Sequence, residues 1–230
     1  MKKKAFFITG TDTNVGKTLV AAGLLVAAKN KGLTTAALKP VAAGCEKTEM
    51  GLRNSDALLL QSVITQKLDY DQINPCALEA AIAPHIAAQQ EKRSLSVDRL
   101  SGFCRGVLTS AHFMLVEGAG GWRVPLNARE TLADLAKNLD LPVILVVGVR
   151  LGCINHALLT FEAIVRDGVA VAGWVANCVD ANMPVLQENI DTLRARLPIP
   201  CLGVVPFLTD ISPEKVASYI DETAIDHLMQ

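Results

Sequence analysis

Short continuous apolar runs alternate along the chain with longer stretches whose apolar residues recur at helical spacing. Ala5–Thr9 is the first run, and Lys17–Lys31 is an Ala-, Leu- and Val-rich stretch ending near Gly32. Thr35–Lys39, His112–Glu117, Val143–Val149, Val169–Asn177 and Cys201–Val205 are further runs, each bounded by Gly, Pro or polar residues. Their length, composition and flanks predict strands. Leu95–Ser110, Thr131–Leu139, Ile154–Asp167 and Pro184–Leu197 carry the helical spacing. Strands that are apolar throughout are buried on both faces, and intervening helices supply the cover. No repeat, low-complexity tract or Pro/Ser-rich linker interrupts the series. The pattern predicts one doubly wound α/β domain over residues 1–230, with a mostly parallel sheet and helices on both faces.

Composition narrows the function classes. The chain has 230 residues, 22 Lys and Arg against 23 Asp and Glu, and a formal net charge of −1. That balance lacks the positive field that non-specific nucleic-acid binding needs. The longest strongly apolar run, Leu141–Val149, falls well short of the roughly 20 residues that span a bilayer. At the N-terminus Met1-Lys2-Lys3-Lys4 leads only into Ala5–Ile8, shorter than the about 7–15 apolar residues of a secretory signal. The expectation is a soluble cytoplasmic protein with no nucleic-acid or membrane partner. Cys45, Cys76, Cys104, Cys153, Cys178 and Cys201 are scattered, without a CxxC pair or zinc spacing, and read as buried reduced thiols.

Ligands of open parallel sheets bind beyond the carboxyl ends of the strands. The first strand runs into Gly10-Thr11-Asp12-Thr13-Asn14-Val15-Gly16-Lys17-Thr18 and then a helix. A glycine-containing loop between strand and helix presents backbone N–H groups and a helix N-terminus to phosphates. Lys17 reaches the β and γ phosphates there, and the Thr18 hydroxyl suits Mg²⁺. The match to G-x-x-x-x-G-K-[ST] is imperfect, because five residues separate Gly10 from Gly16 and Thr11 stands where the first glycine falls. The plainer alternative is an ordinary βα turn with a chance GKT.

Glu117 closes its strand before Gly118-Ala119-Gly120-Gly121, which reads as a flexible, backbone-accessible turn. There it suits a Mg²⁺-facing carboxylate, or else a solvated strand-end acid. Asp56, just ahead of the apolar stretch Ala57–Leu60, is either a second such carboxylate or a first-turn helix acid. Lys39 ends the second strand before Pro40 and points towards the crevice of Lys17. Two ammonium groups around a transferring phosphoryl group neutralise developing charge without proton transfer. The alternative for Lys39 is a surface lysine at a strand end. No His or Cys stands out as a nucleophile, and His85 and His156 read as structural or ligand-lining.

The segments GTDTNVGKT (10–18), LKPVAAG (38–44), GLRNSDALLLQ (51–61), LVEGAGGW (115–122), LPVILVVGVRLGCINHALLT (141–160) and AGWVANCV (172–179) resemble the ATP-dependent dethiobiotin synthetase family. They sample the chain in order from end to end. The resemblance implies a P-loop NTPase-like fold and the penultimate step of biotin synthesis. In that step 7,8-diaminononanoate, CO2 and ATP give dethiobiotin, ADP and phosphate through a carbamate and a carbamic–phosphoric anhydride.

It also implies roles for particular residues. Thr18, Asp56 and Glu117 hold Mg²⁺, and Lys17 and Lys39 are catalytic. Thr13, Asn14, Val15, Gly16, Lys17, Thr18 and Leu19 bind nucleotide, with Gly118, Ala119 and Gly120 contacting nucleotide or substrate through the backbone. Asn177, Cys178, Pro206, Phe207 and Leu208 surround the adenine, while Lys39, Ala43, Gly118 and Asn155 face the substrate. Asn155 belongs to a helix N-terminus that binds the substrate carboxylate across a homodimer interface. Departures from the family pattern are Ala43 where serine is frequent, Asn14 where an acid is common, and Asn189 where some relatives carry tyrosine.

Two other readings compete. One is a related P-loop synthetase acting on another substrate, such as those that amidate corrin carboxylates, although these normally need a glutaminase partner or second domain. The other is a non-enzymatic nucleotide switch of the partitioning-ATPase type. Such switches usually carry an extra lysine early in the loop, where this chain has Gly10-Thr11-Asp12-Thr13, and a basic C-terminal helix, where this chain is acidic.

Overall fold

A computed structural model describes residues 3–230. Six strands form the main sheet: β1 (Lys4–Gly10), β2 (Thr35–Leu38), β3 (Phe113–Gly121), β4 (Val143–Val149), β5 (Val171–Cys178) and β6 (Cys201–Val205). All neighbours pair in parallel, in the order β6-β5-β4-β1-β3-β2. The principal helices are α1 (Lys17–Asn30), α2 (Ser55–Val63), α3 (Val97–Arg105), α4 (Leu132–Asn138), α5 (Cys153–Arg166) and α6 (Leu186–Arg196).

Successive strand residues feed opposite apolar layers, as the pleat requires. Phe7, Leu145 and Val147 pack with α3, α4, α5 and α6 on one face. Phe6, Ile8, Ile144 and Val146 pack on the other with α1, α2 and the C-terminal helices Pro213–Ala217 and Ala224–Met229. Both faces are therefore covered, which is why the strands are apolar at every position.

The strand order reverses direction around β1, so the crevice at its carboxyl end is the expected ligand site. That edge gathers the Gly10–Gly16 loop, Lys39, Arg150 and Pro206, which immediately follow β2, β4 and β6, Asn177 one residue before the end of β5, and Glu117 within β3.

Several boundaries differ from the sequence expectation. The Gly118–Gly121 segment is not a turn: β3 continues through it, with Gly121 paired to Gly10. Small residues permit this, since a Cβ on Gly118 would lie 3.1 Å from the Phe7 ring. The helix expected over 95–110 is shorter, because the Ser96 side chain caps α3 at its start and Gly106 follows its end. Val185 has a φ of 49°, so α6 begins only at Leu186. The stretch between β2 and α3 holds α2, the short helices Tyr70–Ile73 and Pro84–Gln90, a parallel pair (Val41–Ala42 with Cys76–Ala77) and a hairpin (Glu46–Thr48 with Gly51–Arg53). Among the described residues, no helix is long and apolar enough to cross a membrane.

Candidate active site

The loop after β1 is shaped around Val15, whose side chain is buried. A Cβ on Gly10 would stand 2.6 Å from Val15 Cγ2, and one on Gly148 would stand 2.6 Å from Val15 Cγ1. Two glycines, one ending β1 and one inside β4, thus make the socket that seats the loop. Gly16 has a φ of 82° and a Cβ there would fall 2.2 Å from Asn177 Nδ2, so conformation and space both require glycine. Thr11 is not among the residues with positive φ, so that position has no need of glycine. Its N–H donates to the Val146 carbonyl (3.0 Å), and its hydroxyl accepts from Gly148 N–H (3.4 Å). The extra residue in the motif is accommodated without strain at Thr11. Asn14 has a φ of 58°, a conformation asparagine tolerates better than most side chains.

Asp12 binds three parts of the loop region. One carboxylate oxygen accepts from Thr13 N–H (2.7 Å), the other pairs with Arg150 (2.6 Å), and the Asp12 carbonyl accepts from Lys17 Nζ (3.2 Å). Lys17 is buried, and that burial is the main reason its pKa falls from 10.5 to about 8.

Beside the loop, four side chains converge. Lys39 Nζ lies 2.5 Å from Glu117 Oε1 and 2.9 Å from Asp56 Oδ2, and the Thr18 hydroxyl donates to Glu117 Oε1 at 2.7 Å. Lys39, Thr18 and Glu117 are buried. Burial alone would pull the Lys39 pKa down, but the Glu117 and Asp56 carboxylates more than reverse it, and the net shift is upward. Burial likewise opposes ionisation of Asp56, yet the adjacent Lys39 ammonium wins and lowers its pKa. Asp56 is both a first-turn residue of α2 and a partner of Lys39, so its two sequence readings coexist. Lys39 is a buried site lysine, not a surface one.

Glu117 Oε2 is buried with no hydrogen-bond partner. An orphaned carboxylate oxygen beside a second carboxylate and a hydroxyl is an all-oxygen donor set of the kind Mg²⁺ takes. The residues present fit that ion.

A cavity of about 230 Å³ opens on the other side of the loop, lined by Asn14, Gly16, Leu19, Asn177, Cys178, Val179, Val205, Pro206, Phe207, Leu208 and Ile211. The sequence-predicted base-contacting residues are therefore gathered in one place. Asn177 Nδ2 donates to the Val15 carbonyl (2.8 Å), which leaves Oδ1 as its free acceptor. Thr13 lies against Gly120, where an added Cβ would meet its hydroxyl at 3.4 Å. Ala43 is half-buried beyond Lys39, and Asn155 stands at the third position of α5, in its first turn. Asn189 is half-buried, its amide donating to the Val185 carbonyl. Five of the six cysteines are buried and Cys201 is partly exposed.

Sequence reasoning missed the Val15 socket, the Asp12–Arg150 pair, and the roles of Asn54, Tyr70 and Asn74 around Lys39. A glycine in the middle of an apolar strand, as at Gly148, is the one signal that marked such a close approach.

Fold and loop together define a P-loop nucleotide-binding protein. Solved structures at low sequence identity share the fold: a ParA family ATPase from Chlorobium tepidum TLS (TM-score 0.56, 14% identity, covering 100% of this chain and 98% of that one) and the septum site-determining protein MinD with Mg-ADP from Pyrococcus horikoshii OT3 (TM-score 0.52, 16% identity, 100% and 94%). A sequence-family model described as an AAA domain matches residues 4–215. Much nearer relatives are ATP-dependent dethiobiotin synthetases BioD, from Cellvibrio japonicus at 67% identity over 98% of this chain and 99% of the relative. Those of Pseudomonas aeruginosa PAO1 and Aeromonas hydrophila are 60% identical (94% and 96% covered) and 50% identical (90% and 92%). The chain belongs to the ATP-dependent dethiobiotin synthetase family, whose members are ATP-dependent ligases.

Proposed function

We propose that the protein joins 7,8-diaminononanoate and CO2 to form dethiobiotin, with ATP converted to ADP and phosphate. The observation that carries the reading is the convergence of Lys39, Asp56, Glu117 and Thr18 beside a phosphate loop, in a chain of this family. One substrate amine adds to CO2 and loses a proton, giving a carbamate. A carbamate oxygen then forms a bond to the γ-phosphorus as the bond to the ADP oxygen breaks. The second amine closes on the carbamate carbon, and phosphate departs with an oxygen that came from CO2.

The protein's task is positioning and charge neutralisation. Well-oriented reactants recover about 7–11 kcal/mol in favourable systems. A preorganised donor to developing charge is worth roughly 3–4 kcal/mol. Lys17 releases the Asp12 carbonyl to reach the phosphates, and the loop amides and α1 N-terminus receive them. Lys39 turns from its carboxylates towards the carbamate and the transferring phosphoryl group. Thr18, Asp56 and Glu117 would hold Mg²⁺, which supplies further neutralisation of phosphate charge when bound. Buried Lys17 and Lys39 keep water from the labile carbamate. With Asn177 Nδ2 engaged by Val15, its Oδ1 accepts from the 6-amino group of adenine, which favours ATP.

Exposed Leu151, Leu159 and Val165 on and beside α5, with Val185 nearby in sequence to α6, support a homodimer in which this surface is covered. Asn155, on the same helix, then faces the substrate carboxylate of the composite site.

Bicarbonate labelled with ¹⁸O tests the route. Dethiobiotin formation with one labelled oxygen recovered in the released phosphate is the expected result. Dethiobiotin with unlabelled phosphate would rule out the anhydride, and no dethiobiotin would overturn the function.

A further inference from the structure

Lys39 stands one residue beyond β2 and is followed by Pro40, so its own peptide groups leave the sheet ladder inside a buried region. Groups in that position need partners from elsewhere. Both come from one short segment. Lys39 N–H donates to the Ile73 carbonyl (2.8 Å), and the Lys39 carbonyl accepts from Asn74 Nδ2 (2.7 Å). The same segment reaches α2. The Tyr70 hydroxyl accepts from Asn54 N–H (2.7 Å) and donates to Asn74 Oδ1 (3.0 Å). Asn54 is the cap of α2, its side chain accepting from Ala57 N–H, and Asp56 lies in the first turn that this cap fixes.

An unbroken path of hydrogen bonds therefore runs from the main chain of Lys39 through Asn74 and Tyr70 to the start of the Asp56 helix. Asn54, Tyr70 and Asn74 are all buried. The Tyr70 ring also carries the Arg53 guanidinium, 4.1 Å from its centroid, which seats the hairpin leading into α2.

We propose that Tyr70 and Asn74 are positioning residues of the active site. By fixing the main chain of Lys39 against the cap of α2, they set where the Asp56 carboxylate stands relative to the Lys39 ammonium, and with it the strength of metal-dependent nucleotide binding. Neither side chain bonds the Lys39 ammonium or the Asp56 carboxylate itself. The inference rests on the proposed roles of Lys39 and Asp56, but not on the identity of the diamine.

The chain of bonds makes a specific demand on Tyr70→Phe. The ring, its apolar packing and its stack with Arg53 remain, while Asn54 N–H loses its acceptor and Asn74 Oδ1 its donor. Asp56 is then free to drift from the geometry Mg²⁺ needs. The readout is the Mg²⁺ concentration at half-saturation for ATP binding by the protein alone, followed by titration calorimetry without diamine. For Tyr70→Phe it should rise by at least roughly 2- to 10-fold, the range for loss of one of the two buried hydrogen bonds it breaks.

Leu68→Ala is the companion variant. Leu68 packs on the same small cluster of Ala57, Tyr70 and Ile73, and its side chain makes none of the bonds in the path. It should lower the melting temperature while leaving the Mg²⁺ half-saturation at the wild-type value. A Tyr70→Phe protein with wild-type Mg²⁺ dependence overturns the proposal, as does a Leu68→Ala protein shifted equally. Failure of the dethiobiotin reaction would leave this result standing, because no diamine enters the measurement.

Discussion

Burial holds the Lys17 pKa near 8 in the free protein, and bound phosphates favour its ammonium form. Nucleotide binding above that pH must therefore take up a proton. Affinity for ATP with Mg²⁺ should be nearly flat below about pH 8. Above it, affinity should fall by as much as about tenfold per unit. Calorimetric titrations across this range check it, and an affinity unchanged to pH 9.5 or so would contradict the role of Lys17. The folding linkage has the opposite sense. Between about 8 and the ordinary 10.5 the unfolded chain holds the extra proton, so unfolding free energy rises with pH across that window. Lys17 and Thr18 were legible from the motif alone, and Glu117 from its place just before Gly118–Gly121, although β3 runs on beyond it. Lys39 was balanced by a surface reading and Asp56 by that of a first-turn helix acid. What decides for them is a contact between residues 17 positions apart, which no periodicity reports.

Elements seat the loop by close packing rather than by charge. The Asp12–Arg150 pair is about half exposed on both sides, and such pairs contribute about 0–1 kcal/mol. The Val15 socket is different, since a Cβ at position 148 would stand 2.6 and 2.9 Å from Val15 atoms in a fully buried strand. Gly148→Ala should destabilise the protein by about 1–3 kcal/mol and weaken ATP binding by displacing the loop. In a Val15→Ala background the same change should cost less, because the 2.6 Å contact with Cγ1 is gone and only the 2.9 Å contact with Cβ remains. Urea unfolding of the four proteins reads the cycle, and simple additivity of the two costs would contradict the socket. The sequence pattern located β4 and β6 to the residue, because each is an uninterrupted apolar run between polar or proline boundaries. It misjudged β3, where four small residues looked like a turn but continue the strand, with Gly121 paired to Gly10 of β1. The segment between β2 and α3 was nearly illegible. Its strands are two or three residues long and two of its helices are a turn or two, too short for any period to register.

Across the whole molecule, a parallel sheet brings six strand ends to one edge, so residues from 10 to 208 meet around one crevice. The order of strands was not readable from the chain, yet the rule that ligands lie beyond the carboxyl ends was enough to choose most of the loops that meet at that crevice. Departures from the family pattern, at Ala43, Asn14 and Asn189, lie at the rim of that crevice or outside it and leave the Lys39, Asp56, Glu117 and Thr18 cluster intact. On the proposed function, that cluster serves the family's reaction on 7,8-diaminononanoate. ADP release by the purified protein with ATP, Mg²⁺ and bicarbonate, measured with and without 7,8-diaminononanoate alongside mass detection of the product, tests it most directly. ADP formation that depends on the diamine and matches dethiobiotin mole for mole is expected. ATP turnover indifferent to the diamine, with no dethiobiotin formed, would contradict it.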